Sequence, residues 1–287
     1  MSPSILFALF ALAACAAPGD PPEPRADWLR EDQKVIKLFR EAVAAKDLDV
    51  ETLIARFGRP SEHEDRDIGF GVRRTKLHLY GGYTTIWVEL LAERGEGDKR
   101  SRVAELRARQ LGSSDRWKDV ESTLKQAWGD AATAVEHGFE FTRRDEELAQ
   151  SLRARTAEAL GGNVAAVVPK DLARAYDLLT SPFEDVILGL NYSIDGGPPP
   201  GREEIELLAS KGRYDLVRAV QRGINPEARL YASWALRELP ESSSSRADAS
   251  ATAKLLALPG HLHTTSGCIQ IWRAPKEALQ FLIDNKD

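Results

Sequence analysis

Three side chains near the C-terminus are of the types that bind transition metals: His261, His263 and Cys268. Residues two positions apart on a β-strand point to the same face, so the two histidines could share a zinc or copper ion. Cys268 could join them if the chain turns at Ser266-Gly267. The spacing contains no HExxH or CxxC core and offers no evident fourth ligand. The cluster predicts an alternative function, a metal-binding protein or metal-dependent enzyme, whereas a buried, structural Cys268 is the simpler interpretation.

Two further sets of residues have types that could do chemistry. The segment Ser61–Asp67 places four carboxylates around His63, but it lacks the ligand spacing and the glycine of a calcium-binding EF-hand loop. We therefore predict a solvated, acidic loop. Cys268 could act as a nucleophile with a histidine as its base, but the neighbouring Ile269 favours burial of the thiol.

The chain lacks the short motifs that mark common active sites. It has no GxSxG elbow, no P-loop, and no GxGxxG or HExxH sequence. We therefore predict no catalytic residues and no cofactor, and the sequence favours binding over catalysis.

Charged residues are mixed along the chain rather than collected in blocks. The 287 residues include 39 Lys and Arg and 44 Asp and Glu, which gives a net charge of −5. No basic stretch is present that could contact a phosphate backbone, so we predict no nucleic-acid partner. A hydrophobic content of 43% is ordinary for a soluble globular chain.

The N-terminal segment is an apolar run that contains Leu12-Ala13-Ala14-Cys15. The run Ile5–Ala17 has thirteen residues, whereas a membrane-spanning helix needs roughly 20. Leucine, two small residues and cysteine form a lipobox, and this leader resembles those of bacterial lipoproteins. The resemblance implies a signal peptide over 1–14, a diacylglyceryl group on Cys15 and a flexible tether over 15–26.

The same resemblance implies a location. A lipoprotein leader directs export, so the protein would be lipid-anchored at the cell envelope, and the membrane would be a partner through Cys15. Ala16 follows the cysteine, where aspartate would favour retention in the inner membrane, so the outer membrane or periplasmic face is expected. An acylated Cys15 would leave Cys268 without an intramolecular disulfide partner. The alternative is a cytosolic protein with a disordered start, since the segment before Ile5 carries no Lys or Arg.

Hydrophobic periodicity predicts an α+β fold whose N-terminal domain covers residues 27–111. Apolar residues at helical spacing predict helices over 27–46 and 50–57. Strict alternation followed by two glycines and a β-branched segment predicts an antiparallel hairpin over 75–92. The segment 102–111 fits a third strand, although its composition also tolerates a helix.

Residues 112–287 predict a mostly α-helical domain. Within it, Asn225-Pro226-Glu227-Ala228-Arg229, followed by alanines at helical spacing, resembles the second half of a HEAT repeat, near 201–240. We also predict a helix over Pro182–Leu190 and a single strand over His261–Trp272.

Helical repeats offer binding surfaces without catalytic residues. The sequence therefore predicts an envelope protein with a protein-interaction or scaffolding role and a partner of unknown identity. The candidate contact face is Tyr214, Arg218, Arg222 and Arg229, for which simple solvation is an equally good interpretation.

Overall fold

The structure is a computed structural model that describes residues 25–57, 62–95, 97, 99–112, 117–136, 138–192, 196–239 and 246–285. The lipobox and Cys15 lie outside the described residues. The protein is mixed α+β, as the hydrophobic periodicity predicts. No helix of the described ranges is both long enough and apolar enough to cross a membrane.

The N-terminal part is a six-stranded antiparallel sheet covered on its inner face by three helices. The helices are α1 (Ala26–Val43), α2 (Val50–Phe57) and α3 (Trp117–Trp128). The strands are β1 (Glu62–Gly69), β2 (Val72–Tyr80), β3 (Thr84–Glu93), β4 (Arg102–Gly112), β5 (Thr133–Val135) and β6 (Gly138–Arg144). Their order in the sheet is β1-β2-β3-β4-β6-β5.

The inner face of this sheet carries the buried apolar residues of β2, β3, β4 and β6. Leu77 and Leu79 on β2 are buried, in agreement with the predicted hairpin. On α1, Ile36 and Phe39 are buried one helical turn apart, and the Phe39 ring packs 5.5 Å from the ring of Trp128. The helices therefore bury one apolar stripe each against the sheet.

The turn between β2 and β3 is fixed by a buried carboxylate on α1. Asp32 is fully buried and accepts hydrogen bonds from the backbone N–H groups of Gly82, Tyr83 and Thr84. A Cβ at Gly82 would lie 2.4 Å from the carbonyl oxygen of Trp28. Glycine is required there because the helix lies directly on the turn.

The C-terminal part surrounds a central helix with six others and a three-stranded sheet. The helices are α4 (Glu146–Ala159), α5 (Ala173–Thr180), α6 (Arg202–Ser210), α7 (Tyr214–Gln221), α8 (Pro226–Arg237), α9 (Arg246–Leu256) and α10 (Pro275–Asp284). The strands are β7 (Leu188–Tyr192), β8 (Leu262–Gly267) and β9 (Ile269–Arg273), in the order β7-β8-β9, with β7 parallel to β8 and β9 antiparallel to it.

Helix α8 begins as the sequence predicts. The Asn225 side chain accepts a hydrogen bond from the N–H of Ala228, and Pro226 occupies the first turn, where its missing N–H is harmless. Every residue from Pro226 to Leu236 is buried, so this helix is the axis of the C-terminal part. The resemblance of 201–240 to a HEAT repeat stays a prediction.

The two parts pack on each other through a shared apolar cluster. Val72, Leu91 and Ala104, on the outer face of the large sheet, contact a cluster that includes Leu152 on α4 and Phe183. This contact covers one end of the outer face and leaves the other end open.

Four sequence predictions differ from the structure. The segment Ser61–Asp67, expected to be a loop, belongs mostly to β1, whose polar residues pair with β2. Pro182–Leu190 is not a helix and contains the start of β7. The single strand expected over His261–Trp272 is the hairpin of β8 and β9. The sheet does not end at residue 111, because β6 pairs with β4.

Candidate functional site

The structure does not assemble the predicted metal ligands. His261 precedes β8 and is exposed, and Cys268 is an exposed free thiol in the turn between β8 and β9, which contradicts its expected burial. The His263 ring stacks 4.9 Å from the ring of Trp272, and its Nε2 lies 3.1 Å from the Gln270 amide oxygen. Within the described residues, no group of three His, Cys, Asp or Glu side chains could hold a metal ion.

Arg229, predicted as part of a partner surface, is fully buried, so that prediction is wrong. Its guanidinium donates to the carbonyl oxygens of Gly223 at 2.7 Å, Ile68 at 2.9 Å and Ile224 at 2.9 Å. Desolvation in the core lowers the pKa of Arg229, and the nearby Glu227 carboxylate partly offsets this. Arg229 therefore joins β1 to the loop before α8 and contacts no partner.

The other members of that predicted surface also serve packing. Arg218 on α7 and Arg222, directly after the end of α7, both reach Asp248 on α9, at 2.9 and 3.8 Å. Arg222 also donates to the carbonyl oxygen of Gly162 at 3.1 Å, and Tyr214 is partly buried. These side chains hold α7 against its neighbours rather than forming an open binding face.

A cleft of about 640 Å³ lies between the outer face of the six-stranded sheet and the covering loop, residues 181–187. Its floor is formed by residues at neighbouring positions on four strands. Glu64, Lys76, Glu89 and Arg107 lie directly opposite one another on β1, β2, β3 and β4, and we call them the ionic row. Charge alternates along this row, which favours cross-strand pairing.

The covering loop is attached to the ionic row by its own carboxylates. Lys76 Nζ lies 2.5 Å from Asp185 Oδ1, and Arg107 Nη1 lies 2.8 Å from Glu184 Oε1. Arg107 also pairs with Glu89 at 2.7 Å and donates to the carbonyl oxygen of Phe183 at 2.7 Å. The loop is therefore held over one end of the sheet face by hydrogen-bonded ion pairs.

The ion pairs favour the ionised forms of Asp185 and Arg107. Partial desolvation raises the pKa of Asp185, but Lys76 and Arg74 lower it by more, so the net direction is down. Desolvation lowers the pKa of Arg107, but Glu89 and Glu184 raise it by more, so the net direction is up. Neither group is poised near neutral pH, which is the condition for efficient general acid or base catalysis.

Beside the ionic row, the sheet face carries a second row of residues. His78, Trp87 and Arg109 lie directly opposite one another on β2, β3 and β4. The rings of His78 and Trp87 stack at 5.1 Å with an angle of 16°. Trp87 is 47% exposed although it lies on a central strand. Arg109 pairs with Glu140 on β6, at 2.7 Å.

A second open surface is the edge of the three-stranded sheet. Among the described strands, β9 is one of the two edge strands of its sheet. Its large apolar side chains are exposed, at 64% for Ile269, 38% for Ile271 and 46% for Trp272. Soluble proteins commonly protect such edges with lysine or proline, and Ile269–Arg273 contains neither.

One end of β9 is anchored to the large sheet. The Arg66 guanidinium on β1 lies 4.6 Å from the centre of the Trp272 ring and donates to the carbonyl oxygen of His261 at 2.9 Å. It also pairs with the buried Glu227 at 2.6 Å. A groove of about 460 Å³ separates β1 from β9 at this point. The edge is therefore positioned rigidly although its side chains are open.

Comparison with protein-family models, curated proteins and solved structures found no match to this chain. The two open surfaces were not among the sequence-predicted sites. Trp87 alternates with apolar residues on β3, so a single large aromatic at an outward position was the available signal. For β9 the signal was three large apolar residues within four positions, which periodicity alone assigns to a core.

Proposed function

We propose that the protein is a cell-envelope lipoprotein with a protein-interaction or scaffolding role, and that β9 contacts its protein partner. The observation that carries the contact is the exposure of Ile269, Ile271 and Trp272 on an edge strand. An edge strand presents unpaired backbone groups to which an extended segment of another protein can add, with pockets for alternate side chains. Ile269 and Ile271 lie on one face of this strand and Trp272 on the other, so both faces of the edge offer exposed apolar contact.

The location in this proposal is supported by the leader. Leu12-Ala13-Ala14-Cys15 supplies a lipobox, and residues 16–25 lie between Cys15 and the start of α1 in the chain. A lipid on Cys15 holds the protein at the membrane, facing the periplasm or at the outer membrane. Mass spectrometry of the native protein tests this, because an unprocessed, unacylated N-terminus contradicts the location without bearing on β9.

In this proposal the chain has two parts, each with a core of its own. The N-terminal α+β part, which follows the tether, has a core of its own between α1, α2, α3 and the large sheet. The C-terminal, mostly helical part has a second core around α8 and carries β9. A HEAT-like character of 201–240 belongs to this proposal, since α6, α7 and α8 occupy that region.

A noncatalytic role is supported by the state of the charged side chains. The carboxylates of Glu89, Glu184 and Asp185 are all paired with cations in the cleft. A general base or nucleophile needs a group poised near neutral pH beside a reactive partner. The cleft offers fixed ion pairs instead, which suit binding.

The experiment is site-specific photocrosslinking in envelope membranes. A photoreactive amino acid at Ile271 is expected to crosslink to one predominant protein, and the same amino acid at Lys37 on α1, whose side chain is 77% exposed, serves as the control. The captured protein is then purified and titrated against the wild type and Ile271→Lys. We expect the substitution to weaken binding by at least about tenfold.

Equal crosslinking from both positions contradicts the proposal, as does a captured protein that binds Ile271→Lys as tightly as the wild type. Lys37→Ala must leave the affinity unchanged, because α1 covers the inner face of the large sheet and is not part of the β9 edge.

A further inference from the structure

One end of the large sheet carries a patch of exposed apolar side chains on its outer face. Tyr80, Leu111 and Val135 lie in one row across the strands, and Trp87 lies in the neighbouring row on the same face. Each of these four side chains is between 37% and 51% exposed. We call the four residues the open patch.

The C-terminal part, as far as it is described, packs on the opposite end of the same sheet face. Its contact is with Val72, Leu91 and Ala104. Val72 begins β2 and Tyr80 ends it, so about 26 Å of strand separates this contact from the open patch. Soluble proteins seldom expose several large apolar side chains side by side, and such patches mark contacts with proteins or membranes.

The segment that follows Cys15 enters the protein at the end of the sheet that carries the open patch. The turn after Tyr80 ends at Tyr83, whose hydroxyl accepts a hydrogen bond from the backbone N–H of Arg25 at 2.5 Å. The Tyr83 ring also lies 5.0 Å from the ring of Trp28 in the first turn of α1. Arg25 is the first described residue, so the chain coming from Cys15 arrives beside the turn between β2 and β3.

A lipid on Cys15 would keep this end of the sheet near the bilayer. Nine residues lie between Cys15 and Arg25, and an extended chain spans at most about 3.5 Å per residue, so Arg25 would be within about 35 Å of the acylated cysteine. Tryptophan and tyrosine are enriched at membrane interfaces, because their rings are apolar and carry one polar group. Tyr80, Trp87 and Trp28 are the exposed residues of these types at this end. Position and side-chain chemistry both match a lipid surface.

Two cations at this end are already paired with carboxylates. Arg25 pairs with Asp27 at 2.7 Å, and Arg109, which lies opposite Trp87, pairs with Glu140 at 2.7 Å. An anionic headgroup would have to displace one of these carboxylates, at the cost of an existing charged hydrogen bond. The contact with lipid is therefore made by apolar and aromatic side chains and requires no net charge on the lipid.

We propose that the open patch contacts the membrane to which Cys15 anchors the protein, with its four side chains in the interfacial layer of neutral phospholipids. The inference rests on the lipid anchor of the proposed function and adds an orientation to it. The large sheet stands with the open patch on the bilayer, and the C-terminal part is attached to the end of the sheet face that is farther from it.

The test is quenching of a fluorescent probe on the acylated protein, reconstituted in vesicles of phosphatidylcholine that is brominated on its acyl chains. Acylation blocks Cys15, and Cys268→Ser removes the exposed free thiol, so one introduced cysteine carries the probe. We expect a probe at Leu111→Cys to lose at least about half of its emission relative to unbrominated vesicles. The matched control is Arg102→Cys, at the other end of the same strand and 63% exposed, where we expect no loss.

A second pair of variants tests the apolar nature of the contact. Tyr80→Asp places a charge in the open patch, and we expect it to reduce the quenching at Leu111 at least about twofold. Leu207→Asp introduces the same charge at an exposed leucine on α6, outside the patch, and is expected to leave the quenching unchanged. Circular dichroism melting curves verify that each variant is folded.

An acylated protein whose Leu111 probe is quenched no more than the Arg102 probe overturns this inference and leaves the proposed function intact. A blue-shifted emission that brominated lipid does not reduce assigns the patch to a protein contact and overturns it as well. The same holds if folded Tyr80→Asp is quenched normally, or if quenching requires phosphatidylglycerol and disappears in about 0.5 M salt. An unacylated Cys15 overturns both the proposed location and this inference, whereas failure of β9 crosslinking bears on the proposed function alone.

Discussion

The two sheets of this protein are open in different ways: the six-stranded sheet exposes part of a face, and the three-stranded sheet exposes an edge. The exposed face presents side chains, namely stacked rings beside ion pairs. The exposed edge presents backbone groups and a few apolar side chains. An open face offers side-chain contact to the surface that lies against it, whereas an edge recognises any chain that can extend beside it. The difference therefore separates a contact for a lipid surface from a site for a protein segment.

The difference has a physical origin in what covers each surface. On the large sheet, the apolar cluster and the covering loop occupy one end of the outer face and stop at the ionic row. Beyond this row the strands continue, so His78 and Trp87 extend past the cover. On the small sheet, α10 packs near β9, but no described strand pairs with the outer edge of β9.

The largest expected effect is the loss of the buried Arg229 guanidinium, which joins β1 to the loop before α8. Arg229→Met leaves three buried carbonyl groups without their donor, so we expect the free energy of unfolding to fall by about 3–5 kcal/mol. Urea denaturation measures this. The matched control is Arg237→Met in the exposed last turn of the same helix, for which we expect a change below about 0.5 kcal/mol. Equal losses in the free energy of unfolding from the two substitutions would mean that the hydrogen bonds of Arg229 do not stabilise the protein.

The second prediction concerns the ionic row. Glu89→Gln removes the charge that pairs with Arg74 and Arg107, whose side chains are only 3% and 11% exposed. We expect a loss of about 2–3 kcal/mol in urea denaturation, because buried cations lose their charged acceptor. Glu140→Gln breaks the more exposed pair with Arg109 and is expected to cost less than about 1 kcal/mol. The reverse ranking contradicts the idea that the ionic row attaches the covering loop.

The third prediction concerns pH. The pKa of Asp185 is lowered in the folded protein by Lys76 and Arg74. A lowered carboxyl pKa contributes stability that is present above the unfolded value of about 3.9 and is lost as the pH falls through the folded value. Lys76→Ala is expected to raise the pKa of Asp185, measured by NMR titration of the carboxyl carbon. Lys76→Arg keeps the charge and the lowered pKa, and an unchanged titration in Lys76→Ala would disprove the pairing.

The smallest expected effect on stability is at the open edge. Ile271→Lys on β9 should change the free energy of unfolding by no more than about 0.5 kcal/mol, because the side chain is already 38% exposed. Leu262→Lys on the adjacent β8 buries a charge at a site only 8% exposed and is expected to cost more than about 2 kcal/mol. A large loss from Ile271→Lys would make the edge part of the core rather than a binding surface.

Local sequence signals predicted the elements whose causes are local. The alternation of Thr75, Leu77 and Leu79 predicted β2, and two glycines predicted the turn that Asp32 holds. Asn225 and Pro226 predicted the start of α8. These features depend on neighbours a few residues away, which the sequence displays directly.

The missed elements depend on distant partners. The acidic segment in β1 is paired with β2, where Arg73 compensates Asp65, so polarity there does not indicate a loop. The apolar run before Tyr192 fits a helix or a buried strand equally well, and β8, far along the chain, decides for a strand. Neither candidate binding surface could be located, since a pattern of apolar residues does not say which of them stay exposed.

The sequence by itself determined the mixed α+β composition, the hairpin and the start of the central helix, and the lipobox leader stays a prediction. Only the tertiary structure decided that Arg229 is buried, that Trp87 is exposed beside ion pairs and that β9 is an edge strand. The reason is that helix caps, turns and alternation follow from bonded neighbours, whereas burial and edges follow from which remote elements pack together.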